Sequence, residues 1–358
     1  KLVIPTSVNQ LEDAALWSCR GLKTLEVQSA TPPKVGEKSF NGVPADCFIV
    51  VPKGNIGGYQ SAEGWKQFAS RVVDEKSFQF SVGKINYKVI SLEDRTVEVA
   101  KNPDASGAIA IPNQVAYCGV SFMVVGVGDN AFSQNKKVTS VILPNTLKYV
   151  GDMAFQTLEI PMALPSSLEK VGRYAFTYNV FNDLTLPSGL KEVGDSAFAY
   201  TTVKSEKAYI PASVASMGKS SFYYSGVKEL KVDVSNKYYK STNGVLFSKD
   251  GLKLISYPRL KADQTYIIPN GVTTIGYCSF TNQNLTRLVI PTSVNQLEDA
   301  ALWLCRGLKT LEVQSTTPPK VEEKSFNGVP ADCLIRVPVG CAAKYTSANG
   351  WKNFINIL

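Results

Sequence analysis

The side chains with catalytic potential in this sequence are mainly carboxylates, because the 358-residue chain contains no histidine. Without histidine, neither a Ser-His-Asp triad nor histidine-based acid–base catalysis can be assembled. Two carboxylates held at a fixed separation could hydrolyse a glycosidic bond, and Glu169, Glu192 and Asp195 are of the right type. Nothing in their neighbourhoods singles out an acid–base pair. We therefore expect no catalytic residues and a protein that is not an enzyme.

Cofactor and metal motifs are equally weak. Residues 126–131 (GVGDNA) match the G-x-G-x-x-A dinucleotide pattern, but no βαβ unit surrounds this match, and a lone match has little value. The seven cysteines contain no C-x-x-C pair, the spacing that structural zinc sites use. We expect no metal and no cofactor. The cysteines are interpreted as small buried core residues, with a Cys305–Cys333 disulfide in a secreted protein as the less favoured alternative.

A repeated motif dominates the sequence. Its form is Pro-x-x-[Val/Leu]-x-x-[Val/Ile/Met]-Gly-x-x-[Ala/Ser]-Phe, and two variant copies have Glu in place of Gly and Leu in place of Phe. Successive motif phenylalanines lie 21 to 24 residues apart, a period typical of leucine-rich-repeat solenoids. The copies span 144–155, 165–176, 187–198, 211–222 and 269–280, and the variants span 5–16 and 291–302.

The residues around the motif predict its local structure. Short apolar segments such as VTSVIL (138–143), FNDLTL (181–186) and LTRLVI (285–290) precede the proline and alternate as half-buried strands do. Proline cannot donate to a sheet, so it ends the strand. We expect the glycine to supply backbone freedom for the turn and the phenylalanines to stack in the core. The prediction is a leucine-rich-repeat solenoid of short β-strands and turns with few helices.

Domain organisation follows from a duplication. Residues 1–69 are almost a copy of residues 287–355, including a closing aromatic segment whose second copy is KYTSANGWKNF. A solenoid must cover its terminal apolar face, and a short helix carrying these aromatics would do so. Residues 1–69 are predicted to be the C-terminal part of a preceding module, and residues 70–358 a complete module. This complete module is predicted to comprise an antiparallel β cap at 70–130, repeats at 131–340 and a C-terminal cap at 341–358.

One unit of the array is longer than the others. Within 227–268, the segment NGVLFSKDGLKLISYP predicts a hairpin with its turn at Lys249-Asp250-Gly251, because Asp-Gly between alternating segments is a strong turn signal. This insertion is the most basic region of the chain. We favour an elongated repeat over a dedicated binding feature.

The motif copies, the NGVLFSKDGLKLISYP insertion, the opening FSVGKINYKVI…TVEVA…IAIP and the closing GWKNF together resemble the BspA-like leucine-rich-repeat proteins of anaerobic gut and oral bacteria. The resemblance covers essentially the whole chain. It implies a right-handed curved solenoid and an extracellular or cell-surface location, with anchoring as an outer-membrane lipoprotein in some members. It also implies adhesion to host matrix proteins or other cells. Binding residues in this family form no motif, so none is transferred.

We therefore expect a non-enzymatic cell-surface adhesion or recognition protein that binds a macromolecule, a host matrix protein or another cell surface, through its repeats. The strand positions two and four before each proline, Arg287 and Val289 among them, should be exposed. A structural spacer module is one alternative. A glycan-binding protein that uses exposed tyrosines is the other. The candidate binding residues are Lys207, Tyr209, Arg287 and Asp183, and the candidate glycan-binding tyrosines are Tyr223, Tyr224, Tyr238 and Tyr239.

Composition limits the partners. The net charge is +8, but no run of five Lys or Arg residues occurs, so we interpret the lysines as dispersed surface residues and expect no nucleic acid. No apolar run reaches the ~20 residues of a transmembrane helix. The expected partner is a protein or glycan on host or neighbouring cells, and the expected state is a monomer.

Overall fold

The computed structural model of the protein describes residues 1–74, 77–281 and 284–358. Short β-strands joined by turns make up nearly all of its regular structure. The helices are α1 Ile56–Ser61, α2 Ala342–Ser347 and the 3₁₀ helices Lys66–Arg71 and Trp351–Asn353. The predicted solenoid with few helices is confirmed.

The strands of the first half are mostly two to five residues long. In chain order they are β1 Leu2–Ile4, β2 Gln10–Leu11, β3 Thr24–Val27, β4 Lys34–Val35, β5 Phe48–Val50, β6 Val72–Val73, β7 Gln79–Val82, β8 Ile85–Ser91, β9 Thr96–Val99, β10 Gly107–Ala110, β11 Gln114–Tyr117, β12 Val120–Val127, β13 Val138–Ile142, β14 Tyr149–Val150, β15 Pro161–Met162, β16 Lys170–Val171, β17 Val180–Phe181 and β18 Leu184–Thr185.

The strands of the second half continue the same pattern of short segments. They are β19 Glu192–Val193, β20 Thr202–Val203, β21 Lys207–Ile210, β22 Ser216–Met217, β23 Glu229–Val232, β24 Tyr239–Thr242, β25 Val245–Ser248, β26 Lys253–Ser256, β27 Thr265–Ile267, β28 Thr274–Ile275, β29 Arg287–Ile290, β30 Gln296–Leu297, β31 Thr310–Val313, β32 Lys320–Val321 and β33 Leu334–Arg336.

Two compact units contain these strands, and the first comprises Lys1–Asp104 and Pro112–Gly128. Its parallel sheets have the orders β1-β3-β5-β6 and β2-β4. Antiparallel pairs β7–β8, β8–β9 and β11–β12 follow, and β9 pairs with β12 in parallel. The segment after residue 74 thus combines the expected antiparallel hairpins with one parallel pair.

The second unit comprises Ala105–Ile111 and Asp129–Leu358. Each turn contributes one strand to each of two or three parallel sheets, with orders that include β14-β16-β19-β22, β15-β17-β20, β18-β21-β23 and β27-β29-β31-β33. The insertion adds β24, β25 and β26 as antiparallel neighbours. The predicted hairpin is confirmed, with Gly251 at φ +83° in its turn.

Phenylalanines form the core of the repeats. Phe155, Phe176 and Phe198 are fully buried, and their rings stack with centroids 5.5–5.6 Å apart. Phe132 and Phe222 extend the stack by one ring at each end. The repeat period places one aromatic ring directly over the next, as the sequence predicts.

The motif glycine has a different role from the one expected. Gly172 and Gly194 do not have a positive φ, so the expectation of unusual backbone freedom is wrong. A Cβ on Gly172 would lie 2.6 Å from the carbonyl carbon of Gly151, and one on Gly194 would lie 2.5 Å from that of Gly172. Glycine is needed here because successive turns approach too closely for a side chain.

Positive φ values occur instead two residues after this glycine and again four residues later, at non-glycine positions such as Tyr174 (φ 54°) and Tyr178 (φ 65°). This backbone directs N–H groups toward the next turn. Tyr174 donates to Asp195 O at 2.9 Å, and Phe176 donates to Ala197 O at 2.9 Å. The turns are therefore joined by hydrogen bonds at their corners as well as along their strands.

Candidate binding surfaces

The outward-facing side chains of β21, β23 and residues 183–185, a segment that contains β18, form one surface, which we call the central strand face. Its exposed members are Asp183, Thr185, Lys207 and Lys231, and its half-buried members are Tyr209 and Glu229. The intervening residues Leu184, Ala208 and Leu230 are buried, as strand alternation requires. Parallel register places Thr185 beside Tyr209 and Tyr209 beside Lys231. The structure thus brings together three of the four candidate residues, Asp183, Lys207 and Tyr209.

Each of these three side chains interacts with a neighbour. The Asp183 carboxylate accepts hydrogen bonds from Thr185 Oγ1 at 2.7 Å and Ser205 Oγ at 3.2 Å. Lys207 Nζ lies 3.6 Å from Glu229 Oε2. These groups are exposed, and such pairs stabilise a fold by little. A binding partner can therefore replace these hydrogen bonds and this ion pair with its own contacts at a small cost in free energy.

Tyr209 is the most firmly held of the three. Its hydroxyl donates to Asp233 Oδ2 at 2.5 Å. This hydrogen bond holds the pKa of Asp233 below its usual range and raises the pKa of Tyr209. The phenol ring therefore has a fixed orientation on the central strand face.

Arg287 belongs to a different sheet, on β29, where its guanidinium binds Glu312 Oε2 at 2.6 Å. Within the described residues it forms this ion pair rather than a contact with Lys207 or Tyr209. The expected exposure of Val289 is wrong, because this side chain is buried. Val289 pairs with Glu312 across the sheet, and the Arg287–Glu312 ion pair lies beside it.

A second surface is a groove of about 530 Å³ that we call the tyrosine groove. Tyr178 and Tyr200 stack with centroids 4.7 Å apart and an interplanar angle of 8°. Tyr224 lies 5.4 Å from Tyr200, and the Arg259 guanidinium lies 3.8 Å from the centre of the Tyr224 ring. The groove presents aromatic rings, phenol hydroxyls and a cation together.

Of the four tyrosines expected from the sequence, only Tyr224 lines this groove. Tyr223 contacts Tyr200 edge-on at 5.4 Å, and the hydroxyl of Tyr239 accepts the N–H of Met217. Sequence reasoning missed Tyr178 and Tyr200. The signal that identifies them is tyrosine two residues after the motif phenylalanine in consecutive turns.

The carboxylates considered for catalysis serve the fold. Glu169 binds Lys148 at 3.0 Å and Lys191 at 2.8 Å. These hydrogen bonds, that of Lys191 foremost, lower the pKa of Glu169. The Asp195 carboxylate accepts the backbone N–H of Lys219 in the next turn at 2.7 Å. These interactions join neighbouring turns.

Within residues 1–74, 77–281 and 284–358, no group of three or more Cys, Asp or Glu side chains could hold a metal ion. All seven cysteines are free thiols. Burial raises the pKa of Cys47 and of Cys333 to about 11, so both stay protonated at neutral pH. No helix in the described ranges has the length and apolar composition to cross a membrane.

Sequence comparison identifies the repeats. A family model for the BspA type leucine rich repeat region matches residues 125–249 and 261–337 in six copies. The chain belongs to the BspA-type leucine-rich-repeat family. No curated protein sequence matches this BspA-type chain.

Solved structures similar to this BspA-type protein include the pneumococcal vaccine antigen PcpA, at 18% identity and a TM-score of 0.50, covering 79% of this chain and 98% of that one. A leucine-rich repeat protein from Eubacterium ventriosum is 21% identical with a TM-score of 0.50, covering 73% of this chain and 77% of that one. At these identities the similarity establishes the shared fold.

Proposed function

We propose that this BspA-type protein is a non-enzymatic recognition module of the bacterial cell surface that binds a protein on a host or neighbouring cell. The central strand face is the proposed binding surface. The observation that carries the proposal is the placement of Asp183, immediately before β18, next to the parallel strand β21 that carries Lys207 and Tyr209. Opposite charges and a phenol on a rigid sheet suit the polar, aromatic character of protein interfaces.

Exposed aliphatic side chains at equivalent positions of other turns support a protein partner. Ile142 on β13 is 67% exposed and Ile267 on β27 is 64% exposed, each two residues before the motif proline. Large apolar side chains beside polar ones are typical of surfaces that exclude water on binding. The same strand positions therefore carry both kinds of contact that a protein partner needs.

The test measures binding of the chain to immobilised host matrix proteins by interferometry. The double variant Lys207→Ala/Tyr209→Ala should weaken binding at least about tenfold, a loss of ~1.4 kcal/mol. Arg287→Ala, measured separately, shows whether its sheet belongs to the same surface. The matched control is Lys191→Ala/Tyr238→Ala, which removes the same residue types elsewhere on the chain. Unchanged binding by the Lys207→Ala/Tyr209→Ala variant would remove the central strand face from consideration.

A further inference from the structure

The tyrosine groove lies where the insertion interrupts the array. Strand β20 is the last member of the sheet β15-β17-β20. After the hairpins β24 to β26 the chain returns to this position, and the N–H of Leu260 donates to Val227 O at 3.1 Å. This return places Arg259 over the Tyr224 ring and brings Arg259 and Leu260 into the lining of the groove. The groove volume falls within the range of ligand sites.

The tyrosines are specific to this part of the array. Tyr178, Tyr200 and Tyr224 occupy the same position of three consecutive turns, with φ values of 65°, 54° and 52°. Other turns have a different residue type at this position with the same backbone, namely Ser18, Gln134, Thr157 and Leu304. The turn geometry therefore does not require tyrosine, and a positive φ is unfavourable for a bulky residue.

The most exposed ring of the row is at one end. Tyr178 is 42% exposed and stacks on Tyr200 through one face. The preceding turn has Thr157 at the corresponding position, so no ring from that turn covers the other face of Tyr178. A tyrosine ring offers an apolar face for packing and a hydroxyl for hydrogen bonding.

The opposite end of the row is positively charged. Arg259 stacks on Tyr224 and has no side-chain hydrogen bond or ion pair within the described ranges. Its five N–H donors match a carboxylate in bidentate geometry. Lys204 also lines the groove without an ion pair in that part of the chain, whereas Glu206 is neutralised by Lys228 at 2.6 Å. The uncompensated charge of the groove is therefore positive.

We propose that the tyrosine groove binds an acidic glycan, an oligosaccharide that carries a carboxylate. One sugar ring packs its C–H face on Tyr178. The phenol hydroxyls of Tyr200 and Tyr224 bond to sugar hydroxyls, and the carboxylate binds Arg259.

A glycan suits the groove better than an acidic peptide does. The two aliphatic side chains of the lining, Val203 and Leu260, are buried and half-buried, so the groove has no open aliphatic pocket for peptide side chains. A row of hydroxyls, each able to donate and accept, complements a ligand that is itself a series of hydroxyls. The proposal does not rest on the proposed function, since its residues lie outside the central strand face.

Calorimetric titration of the full chain tests the proposal with two acidic probes, sialyllactose and trigalacturonic acid, and their neutral counterparts, lactose and galactotriose. We expect at least one acidic sugar to bind about tenfold more tightly than its neutral counterpart. Arg259→Gln should abolish that preference, and Arg259→Lys should retain part of it. Tyr178→Ala should weaken binding about tenfold, and Tyr178→Phe should weaken it less.

Controls come from the insertion. Lys237→Gln and Tyr238→Ala remove a charge and an exposed ring outside the groove and should bind as the wild type does. Circular dichroism checks that every variant is folded. Three results would overturn the proposal: no binding of either acidic sugar, equal binding of acidic and neutral sugars, or unchanged binding by Arg259→Gln. Arg259-dependent binding of a glutamate-rich peptide without sugar binding would replace a glycan with an acidic protein segment.

Discussion

Single side chains in the core contribute most to the stability of the repeats. Phe176 is fully buried between Phe155 and Phe198. Phe176→Ala should lower the free energy of unfolding by about 3–5 kcal/mol, because it removes a buried ring and leaves a cavity. Urea unfolding measures the change. The control is Ile142→Ala, at a side chain 67% exposed, which should change stability by less than about 0.5 kcal/mol. Equal effects of the two variants would contradict the stacked core.

The ion pairs of Glu169 should make the stability of the fold depend on pH. Its hydrogen bonds to Lys191 and Lys148 lower its pKa in the folded state, so its stabilising effect is present above the unfolded pKa of about 4.3 and is lost as pH falls through the folded value. Glu169→Gln should be less stable than the wild type at neutral pH, and the difference should shrink in strong acid. Urea midpoints across this range measure it. A difference that does not depend on pH would show that the ion pairs are not its cause.

The alternation of apolar and polar residues along a strand predicted which side chains are exposed, provided that side chains of neighbouring strands do not cover them. Asp183 and Lys207 are exposed on the central strand face as expected. The expected exposure of Val289 is wrong: the side chain is buried on a strand that pairs with Glu312 of the next strand, and a single strand's pattern does not show the side chains of neighbouring strands. The tyrosine groove was missed for a related reason, since Arg259 reaches it across more than thirty residues of sequence.

Turns depend on the close approach of successive repeats. A Cβ at residue 194 would meet backbone of the preceding turn, so Gly194→Ala should destabilise the fold by about 1–3 kcal/mol. Gly189→Ala in the same repeat is the matched control, because the nearest atom to its Cβ would be 3.9 Å away. Thermal unfolding compares the two. Similar melting temperatures for both variants would mean that the turns are not tightly stacked at the motif glycine.

The first unit has an aromatic cluster between its parallel strands and the segment that follows. Phe48 is fully buried, lies 5.7 Å from Phe78 and 5.9 Å from Phe122, and receives the Arg95 guanidinium over its ring at 5.3 Å. In the second copy of the duplicated segment the equivalent residue is Leu334, which is half-buried.

Phe48→Leu should therefore destabilise the first unit by about 1 kcal/mol, since leucine loses the ring contacts while it keeps most of the volume. The reciprocal change Leu334→Phe should have little effect, because position 334 lacks these partners. Hydrogen exchange of the segments around residues 78 and 122 reports the loss. Unchanged protection in Phe48→Leu would show that the cluster does not stabilise the unit.

Hairpin turns were predictable from the sequence, because their signal is a pair of adjacent residues such as Asp-Gly. Asp250-Gly251 marked its hairpin turn correctly. Asn243-Gly244, with φ values of 50° and 77°, forms the turn between β24 and β25 and is an equally strong signal that the sequence prediction left out. The reason for the motif glycine was not predictable, because the distance between turns is a property of the packed array.

The solenoid architecture was predictable from the repeat period, because each repeat of the motif forms one turn of the solenoid. The binding surface is harder to predict. Core positions repeat under the same packing constraint, whereas solvent-facing positions are free to vary from turn to turn. The boundary between modules at residues 69 and 70 remains a prediction. In the structure, residues on both sides of it belong to one compact unit, through contacts such as that of Phe48 with Phe78.

The most direct test of the account is hydroxyl-radical footprinting of the chain alone and bound to the strongest ligand from the matrix-protein panel. Recognition through the repeat array predicts protection of the central strand face around Asp183, Lys207 and Tyr209. It also predicts unchanged labelling around Lys170 and Lys191 on the neighbouring sheet. Protection elsewhere, with the central strand face labelled as in the free chain, would contradict the account.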